Sequence, residues 1–267
     1  MIERLPPGNP AELYLRISYT DSLSGTPHAD TLERWDVAVL HAQDDFAVGS
    51  MVFYRVHLDR GVHAAHAMED ESEDLAEIAS VILDAETGYF TDEVSEALEY
   101  VGSALLVMDR VTLDEAWRGY GLGAALAVEA IHRLMPGCRA VACSPGVSDI
   151  GSQQLRGQAE WDRVTGKIAR GWEGMGFRLL RDNTFILSPV SLVLEEQRDA
   201  LRARTAELAL AWKAESARGV RQARGGAEVR TGLAARSSSH PAHVRDAARP
   251  SAAPADAPAG GLVIKPR

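Results

Sequence analysis

Residues 12–19, Glu-Leu-Tyr-Leu-Arg-Ile-Ser-Tyr, alternate apolar and polar side chains, the period of a half-buried strand. Apolar runs at 35–41 and 47–58 flank Gln43-Asp44-Asp45 and predict a hairpin. In the second run Val48, Met51, Phe53 and Val56 break strict alternation, so that strand carries a bulge or is buried on both faces. Two helical patterns follow. Leu75, Ile78, Ala79 and Ile82 share one helix face; Val94, Ala97, Leu98 and Val101 share another. Thr91 is placed to cap the second helix, and Asp92 and Glu93 complement its dipole.

From residue 104 the pattern becomes strand–helix–strand–helix–strand. Residues 104–113 read as a strand and 122–135 as a helix, with Leu126, Ala127, Ala130, Ile131 and Leu134 inward and Pro136-Gly137 as its stop. Residues 140–143 form the next strand, and a long connection, 145–160, precedes a helix over 161–175. Segments 177–180 and 184–187 close the sheet as a hairpin around Arg181-Asp182-Asn183. Ser188-Pro189 reads as the N-cap and first residue of a last helix, ending near 215, with Leu194, Leu201, Leu208 and Trp212 along one stripe. That stripe predicts docking on the helix's own domain. The sevenfold spacing of its leucines leaves a coiled-coil partner, as in a homodimer, as the alternative. Beyond Gly219 the composition turns to Ala, Arg, Pro, Gly and Ser without periodicity, the signature of a disordered tail. The division is a domain over 1–188 with its core motifs at 104–187, a helix over 189–216 and a tail over 217–267.

The chain has 267 residues and no run of apolar residues long enough to span a membrane, and its start lacks a signal peptide's apolar core. Cys138 and Cys143 make neither a disulfide framework nor a zinc pattern, so they read as buried small hydrophobes and the expected location is cytoplasmic. A net charge of −10 argues against nucleic acid or an anionic membrane as partner. The acid clusters at Glu69, Asp70, Glu71, Glu73 and Asp74. Near a site mouth such a cluster would favour a cationic acceptor; otherwise it is a solvated helix start. Abundant Ala and Arg with scarce Lys suggest a GC-rich bacterial genome.

The chemistry is concentrated in Arg118-Gly119-Tyr120-Gly121-Leu122-Gly123-Ala124, between the strand at 104–113 and the helix at 122–135. Alternating glycines leave backbone N–H groups bare at the positive end of a helix dipole, a grip for a diphosphate. Gly119-x-Gly121-x-x-Ala124 fits a relaxed dinucleotide fingerprint. That fingerprint requires glycines directly after the strand and an acidic residue about 20 positions on. Here Asp114–Arg118 intervenes and the next strand ends Ala142-Cys143-Ser144, so a nicotinamide oxidoreductase fails both tests.

Arg118-x-x-Gly121-x-Gly123, with Leu113 five residues before the Arg, resembles the phosphate-loop motif of the GNAT superfamily of acyl-CoA-dependent N-acyltransferases. Trp172-Glu173-Gly174-Met175-Gly176-Phe177 is similar to that family's aromatic-x-x-hydrophobic-Gly-Phe segment, and the resemblance covers about 105–187. It implies an α+β fold, a GNAT-like mixed, mostly antiparallel twisted sheet flanked by helices. It implies acetyl transfer from acetyl-CoA to a primary amine of an unidentified small molecule or peptide or protein acceptor, with no metal. Gly119, Tyr120, Gly121, Leu122, Gly123 and Ala124 would then hold the diphosphate, with Arg118 adding charge or packing. Val111, Thr112 and Leu113 would present backbone groups to the pantetheine arm. A catalytically weak acyl-CoA-binding module is the alternative.

Three departures from the family pattern bear on activity. Its two acceptor-lining helices normally lie between the first and second strands, where this chain has only the loop 21–32. Trp172 stands where the family has a Tyr general acid, and an indole cannot deliver a proton. That leaves water, Tyr120 or Ser144 as donor to the thiolate. Thr165 stands where the family often has a cofactor-touching Asn. Asp109 is the candidate base: simple alternation would put it on one strand face with Val107, Val111 and Leu113, and apolar neighbours would raise its pKa. Glu115 is a second carboxylate that reads better as a turn residue. His57, His63 and His66, with Glu69 and Asp70, invite a metal reading, but His63 and His66 share a face only in a helix and nothing completes a site, so a loop of exposed histidines is expected.

Overall fold

The computed structural model describes residues 4–21, 25, 28–43, 45–99, 102–144 and 158–234. The strands β1 (Leu13–Tyr19), β2 (Leu32–His41), β3 (Phe46–His57), β4 (Ala104–Leu113), β5 (Cys138–Cys143), β6 (Arg178–Arg181) and β7 (Thr184–Leu187) form one sheet in the order β1-β2-β3-β4-β5-β7-β6. Only β4 and β5 run parallel, joined through α4 (Leu122–Leu134); every other neighbouring pair is antiparallel. The protein is thus α+β, with a mixed seven-stranded sheet flanked by helices.

Both sheet faces are covered, which is why the central strands are buried in nearly continuous runs. On one face α4, the end of α5 (Gln158–Glu173) and α6 (Leu192–Ala234) enclose Val37, Phe53, Met108, Ile131, Leu187 and Leu194. On the other, α1 (Ala64–Glu71), α2 (Glu73–Ile82) and α3 (Asp92–Ala97) cover Tyr54, Val56, Leu105, Val107 and Ile186. The broken alternation of β3 has two causes. Val39 pairs with Gly49 but Leu40 with Ala47, so Val48 is a bulge residue. Phe53 and Val56 lie in opposite core layers.

Helix α1 corrects the expectation of a histidine loop. His63 is its N-cap and His66 lies within it, and the two rings meet tilted at 32° with centroids 4.4 Å apart. Its missed signal is the run Ala64, Ala65, Ala67 and Met68, all buried. Ser72 then caps α2 through a 3.2 Å bond from the Leu75 N–H, and Glu73 and Asp74 fill the first turn of that helix, where its dipole favours acid. Thr91 caps α3 as expected, accepting from the Val94 N–H.

The chain divides into two units, 1–218 and 219–267. Within the first, the leucine stripe of α6 docks on its own domain: Leu194 and Leu208 are buried and Leu201 is packed against the same core. The helix starts at Leu192, not at 189, and the Ser188 hydroxyl donates to Glu99 at 2.6 Å. In the second unit α6 continues to Ala234, through residues expected to belong to the tail; the rest of the expected tail, 235–267, lies outside the described residues. No helix among the described residues is long and apolar enough to cross a membrane.

Candidate functional site

Strand β4 leaves its parallel neighbour halfway along. Its pairing with β5 ends at Met108–Cys143, while its pairing with β3 continues to Leu113–Gly49. At the point of separation Val52 pairs with Arg110 and Phe53 with Met108, so Asp109 is the extra residue of a bulge. Bulges re-aim side chains and end ladders. Among the described residues nothing pairs with residues 109–113 on the β5 side.

The remaining ladder shows which backbone groups this edge offers. The Asp114 N–H bonds the Val48 carbonyl at 2.9 Å, and a β-carbon built on Gly49 would lie 2.4 Å from the Thr112 oxygen. Backbone groups alternate along a strand, so Thr112 faces β3, whereas Val111 and Leu113 turn theirs to the open edge. The Leu113 carbonyl is already engaged by Arg118 Nε at 2.6 Å. The Val111 N–H and C=O and the Leu113 N–H are what the edge has to give.

Beyond Leu113 the chain makes a short 3-10 turn, Glu115–Trp117, anchored by the buried indole of Trp117, and Glu115 occupies its first position. Gly119 and Gly121 have φ of +89° and +80°, the left-handed region that suits glycine. Gly121 is the N-cap of α4 and gives it no side-chain cap, so the first-turn N–H groups of Leu122, Gly123 and Ala124 keep their capacity for a ligand. A β-carbon on Gly119 would meet none of the described residues within 4 Å, whereas one on Gly123 would touch Leu113 Cδ1 at 3.6 Å. Gly123 thus faces β4. Tyr120 turns inward: it is buried and its hydroxyl donates to the Leu5 carbonyl at 2.7 Å.

The bulge also corrects the expected face of Asp109. Val111 and Leu113 pack in the α4 layer, whereas Val107 lies in the layer under α1–α3. Asp109 is half-buried and carries a raised pKa: burial is the main cause, Asp74 and Glu71 add to it, and Arg110 and Arg34 oppose it. Those carboxylates come from α2 and α1, so Asp109 belongs with Val107 and not with Val111. Beside it the Tyr54 hydroxyl donates to Glu71 at 2.8 Å, and burial with that bond pushes the phenol pKa up. The acidic run at 69–74 therefore supplies two carboxylates to the surroundings of Asp109. Sequence spacing could not show this, since it depends on how α1 and α2 fold back over the sheet.

Trp172 is half-buried and meets Phe177 edge-on, with centroids 5.8 Å apart. The Ser144 hydroxyl accepts from Asn183 at 3.3 Å. Thr165 lies on α5, its side chain outside the described residues. Among the described residues no group of three His, Cys, Asp or Glu is placed to hold a metal ion.

One neighbour of the turn escaped sequence reasoning. A β-carbon on Gly121 would lie 3.7 Å from Nε and 3.8 Å from Cζ of Arg204, on α6. The only local signal was an arginine between Leu201 and Leu208 on a docking stripe. The chain matches no protein-family model and no curated protein sequence.

Proposed function

We propose that the chain is an acetyl-CoA-dependent N-acetyltransferase of the GNAT type, acting on a primary amine of a small molecule, peptide or protein. The observation that supports this most is the edge of β4 after Met108, with which no described residue pairs on the β5 side and which leads into a glycine turn that gives α4 no side-chain cap. An extended arm bearing amide groups can pair with the Val111 and Leu113 backbone. A diphosphate at the end of that arm would meet the N–H groups of Leu122 to Ala124 and the positive end of the helix. The bulge at Asp109 marks where the arm's reactive end would lie.

Acetyl-CoA supplies an acetyl thioester, and transfer forms a C–N bond and breaks the C–S bond; of the two protons the ammonium sheds, one ends on the thiolate to give the thiol and the other leaves through the base of the site. Asp109 is the group we assign to take that proton, directly or through water, because a carboxylate with a raised pKa is the better base near neutrality. Helices α1 and α2 cover the acceptor side of the bulge although they follow β3 in the chain.

A second reading, an acyl-CoA-binding module without turnover, is favoured by the state of the proton donors. Trp172 cannot deliver a proton, and the Tyr120 hydroxyl is engaged by Leu5. Thiol release measured over a panel of amines separates the two. Amine-dependent release above background hydrolysis supports the enzyme; tight CoA binding with no release under any amine supports the module.

A further inference from the structure

Helix α6 lies outside the motifs that carry the acyl-CoA reading, yet it reaches the diphosphate end of the proposed site. It runs antiparallel to α4: Glu195 approaches His132, and Arg198 and Arg202 bond Glu129 one turn nearer the start of α4. Six further residues from Arg198 to Arg204 advance about 9 Å along α6, and Glu129 lies about 10.5 Å from Leu122 along α4. The two helices therefore bring Arg204 level with the N-terminus of α4, where its guanidinium stands over Gly121.

That position is electrostatically odd for a cation. The α4 dipole is positive there, the N-cap glycine supplies no side-chain acceptor, and among the described residues Arg204 has no hydrogen bond or ion pair. Its neighbours along α6 behave differently, since Arg198 and Arg202 both pair with Glu129 and Arg198 pairs with Glu195 as well. Arg204 also sits within the docked stripe, between Leu201 and the buried Leu208, so its backbone is held against the domain. The exposed Arg204 guanidinium and the positive end of α4 lie side by side at Gly121, an arrangement that an anion bound to both would stabilise. The molecule carries a net charge of −10, so a polyanionic ligand approaches against the overall field and gains most from cations fixed at the site.

From this geometry we infer that Arg204 is a diphosphate-binding residue and that α6 is part of the acyl-CoA site. The inference rests on the acyl-CoA reading above. It makes α6 a wall of the cofactor pocket: the stripe and the Glu129 pairs position Arg204, and Arg204 closes over the phosphates from the side opposite β4.

The test is titration of the full chain with CoA and with pantetheine, which lacks the phosphates, using the wild type, Arg204→Gln and Arg133→Gln. Arg133 is exposed near the far end of α4 and controls for net charge. Arg204→Gln should weaken CoA about tenfold, as expected for one lost charge-assisted contact, and flatten the salt dependence of binding. It should leave pantetheine affinity and the melting temperature unchanged, and Arg133→Gln should leave CoA affinity at the wild-type value. If the wild type binds CoA and Arg204→Gln binds it equally well, the role of Arg204 is refuted while the acyl-CoA reading stands. Equal weakening by both variants, or of both ligands, refutes it too. No CoA binding by the folded wild type would remove the reading itself.

Discussion

Arg118 donates from Nε to the carbonyl of Leu113 at 2.6 Å, tying the start of the glycine turn back to the end of β4. The arginine of the loop motif thus braces the corner between the open strand edge and α4. Its bond consumes an edge carbonyl and leaves the Val111 backbone and the Leu113 N–H for pairing.

Arg118→Met keeps the length of the side chain and removes the donor. The lost bond should lower stability by about 1–2 kcal/mol in denaturant unfolding. CoA affinity should fall as well, because the turn loses its tie to the strand. Unchanged affinity with reduced stability would show that the brace serves folding alone.

Asp109→Asn separates chemistry from binding. Turnover should fall at least about tenfold while CoA affinity holds. The same variant has a stability signature. The fold raises the Asp109 pKa, so the native state holds that proton more tightly than the unfolded chain. Its stabilising contribution is full in acid and is lost as pH rises through the native pKa. The variant should therefore melt higher than wild type near neutrality, and the gap should close in acid. A variant that melts lower at neutral pH would contradict the buried, unpaired carboxylate.

The bulge that governs Asp109 was not legible in the sequence. Val107, Asp109 and Val111 look like one face of a regular strand, and only the partner strand, with Val52 opposite Arg110 and Phe53 opposite Met108, reveals the extra residue. The strand at 104–113, the turn at 118–121 and α4 were legible because each is local: an apolar run, glycines, then a helical stripe ended by Pro136-Gly137. Helix α1 was not legible because it is only 8 residues long and buries small alanines, which give a weak apolar stripe. The leucine stripe of α6 announced docking, but the meeting of Arg204 with Gly121 depends on the direction in which two helices cross. The continuation of α6 past Gly219 was hidden by glycines that reduce helix propensity without breaking a helix.

Glu129 holds α6 in place. Burial alone would raise its pKa, but the bonds from Arg198 and Arg202 outweigh that and hold the carboxyl below the ordinary range. This contribution is present above the unfolded pKa and is lost as pH falls through the native one. Glu129→Gln should cost about 1–3 kcal/mol near neutrality, and the difference from wild type should shrink in acid. Melting curves across pH read both.

The glycines of the turn differ in consequence. Gly121 has φ +80°, so Gly121→Ala strains the backbone by about 1–2 kcal/mol and should weaken CoA. Gly123 lies in the first turn of α4 with only ordinary contact to Leu113, so Gly123→Ala should keep folding and CoA affinity close to wild type. Equal effects at the two positions would mean that the left-handed cap does not shape the turn.

Isothermal titration of the folded full chain with CoA shows whether the glycine turn and strand edge hold an acyl carrier. Binding should saturate at one site per chain and weaken with rising salt and with Gly121→Ala. Absence of binding to CoA and acetyl-CoA alike, by a chain whose melting curve shows it folded, would contradict the acyl-CoA reading.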